Sequence, residues 1–169
     1  MQTDNSLNLH RLSLSEWRTY FYALLFTAGN ILFPQICHLI PDGGHIFLPI
    51  YFFTLIGAFR YGWRVGLLTA VASPLVNSLL FGMPPVAALP AIMLKSVLLA
   101  LFASLAAERS RSAGLITIGC VVISYQLVGM AGEWLLTGSA AAVLSDIRLG
   151  FPGLLIQIFG GWGLLRMMK

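Results

Sequence analysis

Asp42-Gly43-Gly44-His45-Ile46-Phe47-Leu48-Pro49-Ile50-Tyr51-Phe52-Phe53 opens the stretch, residues 42–95, whose reading decides the fold. A polar turn gives way at once to an apolar run. Charge returns at Arg60-Tyr61-Gly62-Trp63-Arg64, and residues 65–80 are apolar again. The chain turns once more at Phe81-Gly82-Met83-Pro84-Pro85, and the next apolar run carries a single lysine, Lys95, near its middle. Apolar runs joined by tight basic turns are the pattern of helices that cross a bilayer, at roughly 20 residues per crossing.

Composition agrees. The 169 residues are 58% hydrophobic and 9% charged, with a mean hydropathy of +0.86, whereas soluble domains carry roughly 25% charged residues. A soluble monomer is excluded. The net charge of +4 does not point to nucleic acid, because the basic residues are spread among the turns rather than clustered. Cys37 and Cys120 fall inside apolar runs at different depths, so no disulfide is expected, and no metal-type spacing exists.

Working outward, the pattern predicts an all-α, polytopic membrane protein with six spans at about 17–39, 46–59, 65–80, 85–107, 113–136 and 149–165. Residues 1–16 read as a cytoplasmic tail, residues 17–169 as the six-helix transmembrane domain, and 137–148 as a polar link before the last span. Pro34, following Ala28-Gly29-Asn30, is expected to kink the first span, because proline removes a helix hydrogen bond. The second span is short for a crossing unless it begins as non-helical backbone around Pro49. Such backbone is tolerated at membrane depth only where it is buried or lines a cavity. With the N-terminus inside, Arg11, Arg18, Arg60, Arg64, Arg109, Arg111, Arg166 and Lys169 are all cytoplasmic, against Arg148 outside. That bias predicts both termini inside.

Ionisable residues within spans are costly and face an interior or a cavity. Lys95 is the strongest candidate. It is read as a cation for an anionic group on a substrate, and a structural pair with Glu133 or snorkelling to the interface stays open. Glu133, Gln126 and Trp134 share the fifth span. Gln126 and Glu133 lie seven residues apart, two helical turns, and so on one face. Asn77 and Gln157 are amides within spans, suited to ligand contact or to hydrogen bonds between helices. His38 and His45 flank the first outer turn, but two histidines make a poor metal set where three or four ligands are usual. No Gly-x-Ser-x-Gly, His-Glu-x-x-His or phosphate-binding Gly-x-x-x-x-Gly-Lys stretch occurs, so neither catalysis nor ATP hydrolysis by this chain is expected.

Over residues 20–105 the chain resembles the substrate-binding S components of energy-coupling factor (ECF) vitamin importers. The resemblance is carried by Phe47-Leu48-Pro49-Ile50, by Gly57-Ala58-Phe59-Arg60-Tyr61-Gly62-Trp63-Arg64-Val65-Gly66-Leu67, and by Ser73-Pro74-Leu75. Its most specific piece is Leu80-Phe81-Gly82-Met83-Pro84-Pro85. The last two spans agree in topology. The resemblance implies a binding subunit in a prokaryotic cell membrane that captures a vitamin or related micronutrient at the outer face. The first outer loop would act as a lid, and the outer halves of spans four to six would line the pocket. Lys95, Gln126, Glu133, Trp134 and Gln157 fall there, with His45 and Asn77 in or beneath the outer loops. Lys95 favours a carboxylate-bearing ligand. The resemblance further implies docking on a transmembrane coupling subunit driven by two ATPases, with no cofactor and no metal. Where the family carries an Ala-x-x-x-Ala docking surface on its first span, this chain has Ala23 and Thr27. A self-sufficient transporter or channel is the alternative, and a small membrane enzyme or assembly factor a third.

Overall fold

The chain enters its first helix through a polar turn closed by local hydrogen bonds. The Ser13 amide donates to Glu16 Oε1 at 2.9 Å, and the Thr19 hydroxyl donates to the Ser13 carbonyl. From there a computed structural model, which describes residues 11–110 and 113–168, is helical almost throughout. The helices are α1 (Trp17–Cys37), α2 (Gly43–Phe47), α3 (Phe52–Tyr61), α4 (Trp63–Phe81), α5 (Leu89–Ser110), α6 (Leu115–Thr137) and α7 (Ala140–Met167). Short 3-10 turns, Pro49–Tyr51 and Val86–Ala88, precede α3 and α5. No strand occurs among the described residues. The first ten residues of the tail, Arg111 and Lys169 lie outside them.

Five helices are long and apolar enough to cross a membrane: α1, α4, α5 with its preceding turn, α6 and α7. The segment expected as a short second span, 46–59, is broken into α2, a 3-10 turn and α3, with the interruption at Pro49. The break falls after α2, where Pro49 has no N–H to continue a helix. Asp42 and Leu48, at φ 56° and 46°, take left-handed backbone on either side of α2. The broken segment still makes a pass through the bundle. Its end returns to the start of α1, where the Leu12 amide donates to the Tyr61 carbonyl at 3.4 Å and the Tyr22 and Tyr61 rings stack at 4.0 Å.

One correction concerns the expected polar link 137–148. Most of it is helix. Ser139 caps α7 by accepting from the Ala142 amide at 3.2 Å, and Ala140-Ala141-Ala142 are strong helix formers. The helix therefore begins at Ala140, well before the expected span at 149.

α3 is the centre. Every residue from Thr54 to Arg60 is buried, against α1, α4, α5 and α7. Leu55, Ile56, Phe59, Leu99, Ile118 and Leu165 form the apolar core around it. The outer surface is apolar too: Leu24, Leu32, Leu79, Ile116 and Leu135 are well exposed. A water-soluble protein does not present such a belt, whereas a bilayer covers it at no cost. The molecule is a multi-pass membrane protein.

Polar groups knit the helices on the α1–α4 side. Asn30 Nδ2 donates to Thr54 Oγ1 at 3.0 Å and to Ser73 Oγ at 3.1 Å, and Asn30 Oδ1 accepts from the Phe53 amide at 3.0 Å. That amide belongs to the first turn of α3, so Asn30 supplies the acceptor that the helix itself cannot. Asn77 is tied to the same residue.

Candidate functional site

With hairpin-like connections throughout, α5, α6 and α7 alternate in direction. The second turn of α5, the last turns of α6 and the second turn of α7 therefore come to one end of the bundle. Each supplies one charged side chain there. Lys95 Nζ lies 2.6 Å from Glu133 Oε2 and 2.5 Å from Asp146 Oδ2. The side chain of Lys95 is 4% exposed, and those of Glu133 and Asp146 are 14% and 21% exposed. One ammonium thus sits between two carboxylates, leaving a net charge of −1 in a largely buried setting.

The approach of α6 to α5 depends on glycine. A Cβ on Gly129 would stand 2.6 Å from Lys95 Cγ, so the lysine stem lies against bare backbone. Gln126, one turn further in on the same face, is buried, and neither its Nε2 nor its Oε1 has a hydrogen-bond partner. Ser96 Oγ, adjacent to Lys95, and Gln157 Nε2 are likewise buried without partners. Unmet hydrogen-bonding capacity of this kind costs about 1–3 kcal/mol per group. Four such atoms lie on the three helices that carry the charges, and the others belong to Gln35, Arg60 and Asn77. Gln157 Oε1 accepts from the Tyr125 hydroxyl at 2.9 Å, and the Tyr125 ring lies 5.7 Å from that of Tyr51.

The broken segment packs onto this end. A Cβ on Gly153 would stand 2.5 Å from the Phe47 carbonyl carbon, and one on Gly150 would stand 2.8 Å from Leu48 Cδ1. α2 and its trailing residues therefore rest directly on α7, one to two turns beyond Asp146.

Of the residues singled out in the sequence, Lys95 and Glu133 are in contact, and Gln126 and Gln157 line the same helices further in. Asn77 lies elsewhere, bonded to the backbone of Asn30 and of Ser73 at 2.9 and 3.0 Å. His45 is exposed on α2. Trp134 is 55% exposed on the outer surface of α6. Ala23 and Thr27 are buried inside the bundle, while Leu24, Leu25 and Leu32 form the exposed side of α1. Asp146 was hidden by the reading of 137–148 as a link. A signal for it exists: Asp146, Gly150, Gly153, Gln157 and Gly161 recur at spacings of four, three, four and four, one helical stripe of small and polar residues. Among the described residues no three His, Cys, Asp or Glu side chains gather to hold a metal ion.

Comparison with models of known protein families, with curated proteins and with solved structures finds no match.

Proposed function

We propose that the chain is a membrane-embedded substrate-binding subunit of the S-component type, which takes a small nutrient from the outer face of a prokaryotic cell membrane. The observation that carries this reading is Lys95, buried between Glu133 and Asp146 beneath the broken segment. Charges that deep in a membrane bundle are retained for a task. The unpartnered Gln126 and Gln157, two and three turns further in on α6 and α7, and Ser96, next to Lys95 in the chain, offer donors and acceptors that a polar ligand would satisfy. α2, bounded by left-handed residues at Asp42 and Leu48, is suited to lift and admit it.

In this reading the chain crosses the membrane six times, the broken pass included, with both ends inside. Arg11, Arg18, Arg60, Arg64, Arg109 and Arg166 then share the cytoplasmic end, and the Lys95 cluster faces outward. The subunit binds without chemical turnover and hands its ligand inward together with a coupling subunit and two ATPases. Because Ala23 and Thr27 point into the bundle, the coupling subunit would meet the exposed leucine face of α1 or another outer surface.

The ligand is a carboxylate-bearing micronutrient that also carries hydroxyl or amine donors. A ligand carboxylate reaches Lys95 only by displacing Glu133 or Asp146, and the displaced carboxylate then needs a donor of its own. Binding of carboxylate solutes to purified protein, with and without neighbouring hydroxyl or amine groups, tests this. Equal affinity for simple fatty acids would count against it, and flux through liposomes lacking any ATPase would favour a self-sufficient transporter.

A further inference from the structure

The opposite end of the bundle holds a second site, of opposite charge. Between the segment that leads into α1 and the turn joining α3 to α4 lies a cleft of about 140 Å³, lined by Arg11, Tyr61, Trp63, Arg64 and Glu108 among others. Arg11 pairs with Glu108 at 3.5 Å. Arg64 lies over the Trp63 ring at 4.8 Å and donates through Nη1 to the Leu12 carbonyl at 3.3 Å. Both arginines are therefore held at the cleft by contacts that leave donors over.

Arg60 lies beside a smaller hollow that shares Arg11, Gly62 and Glu108 with the cleft. It is 8% exposed, and its Nε and Nη1 have no hydrogen-bond partner. No carboxylate among the described residues forms an ion pair with it. Three guanidinium groups thus face a single carboxylate around the paired hollows, an excess of two positive charges. A buried cation without a counter-ion is costly, and the forked donors of arginine match the oxygens of a phosphate.

We infer that this cleft binds a phosphate group, held by Arg11 and Arg64 and reinforced from below by Arg60. The phosphate comes from a lipid headgroup or from a free phosphate ester. The inference does not depend on what the Lys95 cluster binds.

The test is thermal unfolding of the purified full-length protein in a neutral detergent. It is titrated separately with phosphatidylglycerol, with inorganic phosphate and with sodium chloride at matched ionic strength. A rise in Tm with phosphatidylglycerol alone assigns a lipid headgroup. A rise with inorganic phosphate as well assigns a free phosphate. In Arg11→Gln/Arg64→Gln, a double change at the cleft mouth, the apparent affinity for either probe falls by roughly tenfold or more, and in Arg60→Gln it falls likewise. Should Arg60→Gln fail to fold, the double variant carries the test. Responses no larger than that to sodium chloride, or unchanged affinity in the folded double variant, would overturn the assignment.

Discussion

Asn77 Nδ2 donates to the backbone carbonyl of Asn30 at 2.9 Å, and that carbonyl is the one Pro34 leaves without a helical donor. In an α-helix the carbonyl of residue 30 accepts from the amide of residue 34, and proline has no amide hydrogen. α4 thus completes the hydrogen bonding of α1, and Asn30 in turn completes that of α3. Ser/Thr and amide side chains commonly repair proline-broken helices within membranes in this way.

Asn77→Ala removes the repair and leaves the Asn30 carbonyl buried and unmet. Interhelical bonds of this type contribute about 0.6–2 kcal/mol in membranes, and equilibrium unfolding in mixed micelles should show a loss of that size. Asn30→Ala should cost at least as much. The double variant should cost less than the sum, because the two residues share one network.

Pro34→Ala supplies the missing amide. In that background Asn77→Ala should lose clearly less stability than it does with Pro34 present. An identical loss in both backgrounds would show that the Asn77 bond serves something other than the proline gap.

Lys95→Met strands two partly buried carboxylates side by side, and the expected loss is about 3 kcal/mol or more. Glu133→Gln leaves a one-to-one pair of Lys95 with Asp146 and should cost far less. Asp146→Asn should behave similarly. Adding Glu133→Gln to Lys95→Met should recover part of the loss, measured as unfolding midpoints in one detergent.

Gly129 and Gly119 lie on the same helix and should respond in opposite directions. A Cβ at Gly129 meets Lys95 Cγ at 2.6 Å, while nothing lies within 4 Å at Gly119. Gly119→Ala should stabilise by up to about 1 kcal/mol through helix propensity. Gly129→Ala should force the lysine stem aside, lowering both stability and ligand affinity.

Much of this architecture is legible in the sequence, because long apolar runs and basic turns obey one strong constraint, the bilayer. The helices α1, α4, α5 and α6 lie close to where hydropathy puts them, and Lys95 and Glu133 stand out as charges within spans. Two features are not legible from hydropathy alone. The segment holding α2 and α3 is as apolar as a span, yet Leu48 and Pro49 break its helix, and only packing decides that it still passes through the bundle. Asp146 sits in a stretch whose average polarity resembles a loop. The alanines behind the Ser139 cap and the stripe from Asp146 to Gly161 outweigh that average. Local helix signals at 139–142 decide the start of α7, and with it the third member of the charged cluster. The Asn77 contact is invisible from composition because it depends on which carbonyl Pro34, four residues further along α1, has freed, and on which helix packs there, a relation that only the folded bundle creates.

The most direct measurement is native mass spectrometry of the protein released gently from detergent, comparing the unaltered chain with Glu133→Gln, Lys95→Met/Glu133→Gln and Trp134→Ala. The account predicts a small-molecule adduct on the unaltered chain that persists in Trp134→Ala, weakens in Glu133→Gln and disappears in the double variant. An adduct equally retained in the folded double variant would contradict it, as would an adduct-free protein that passes solutes across liposomes by itself.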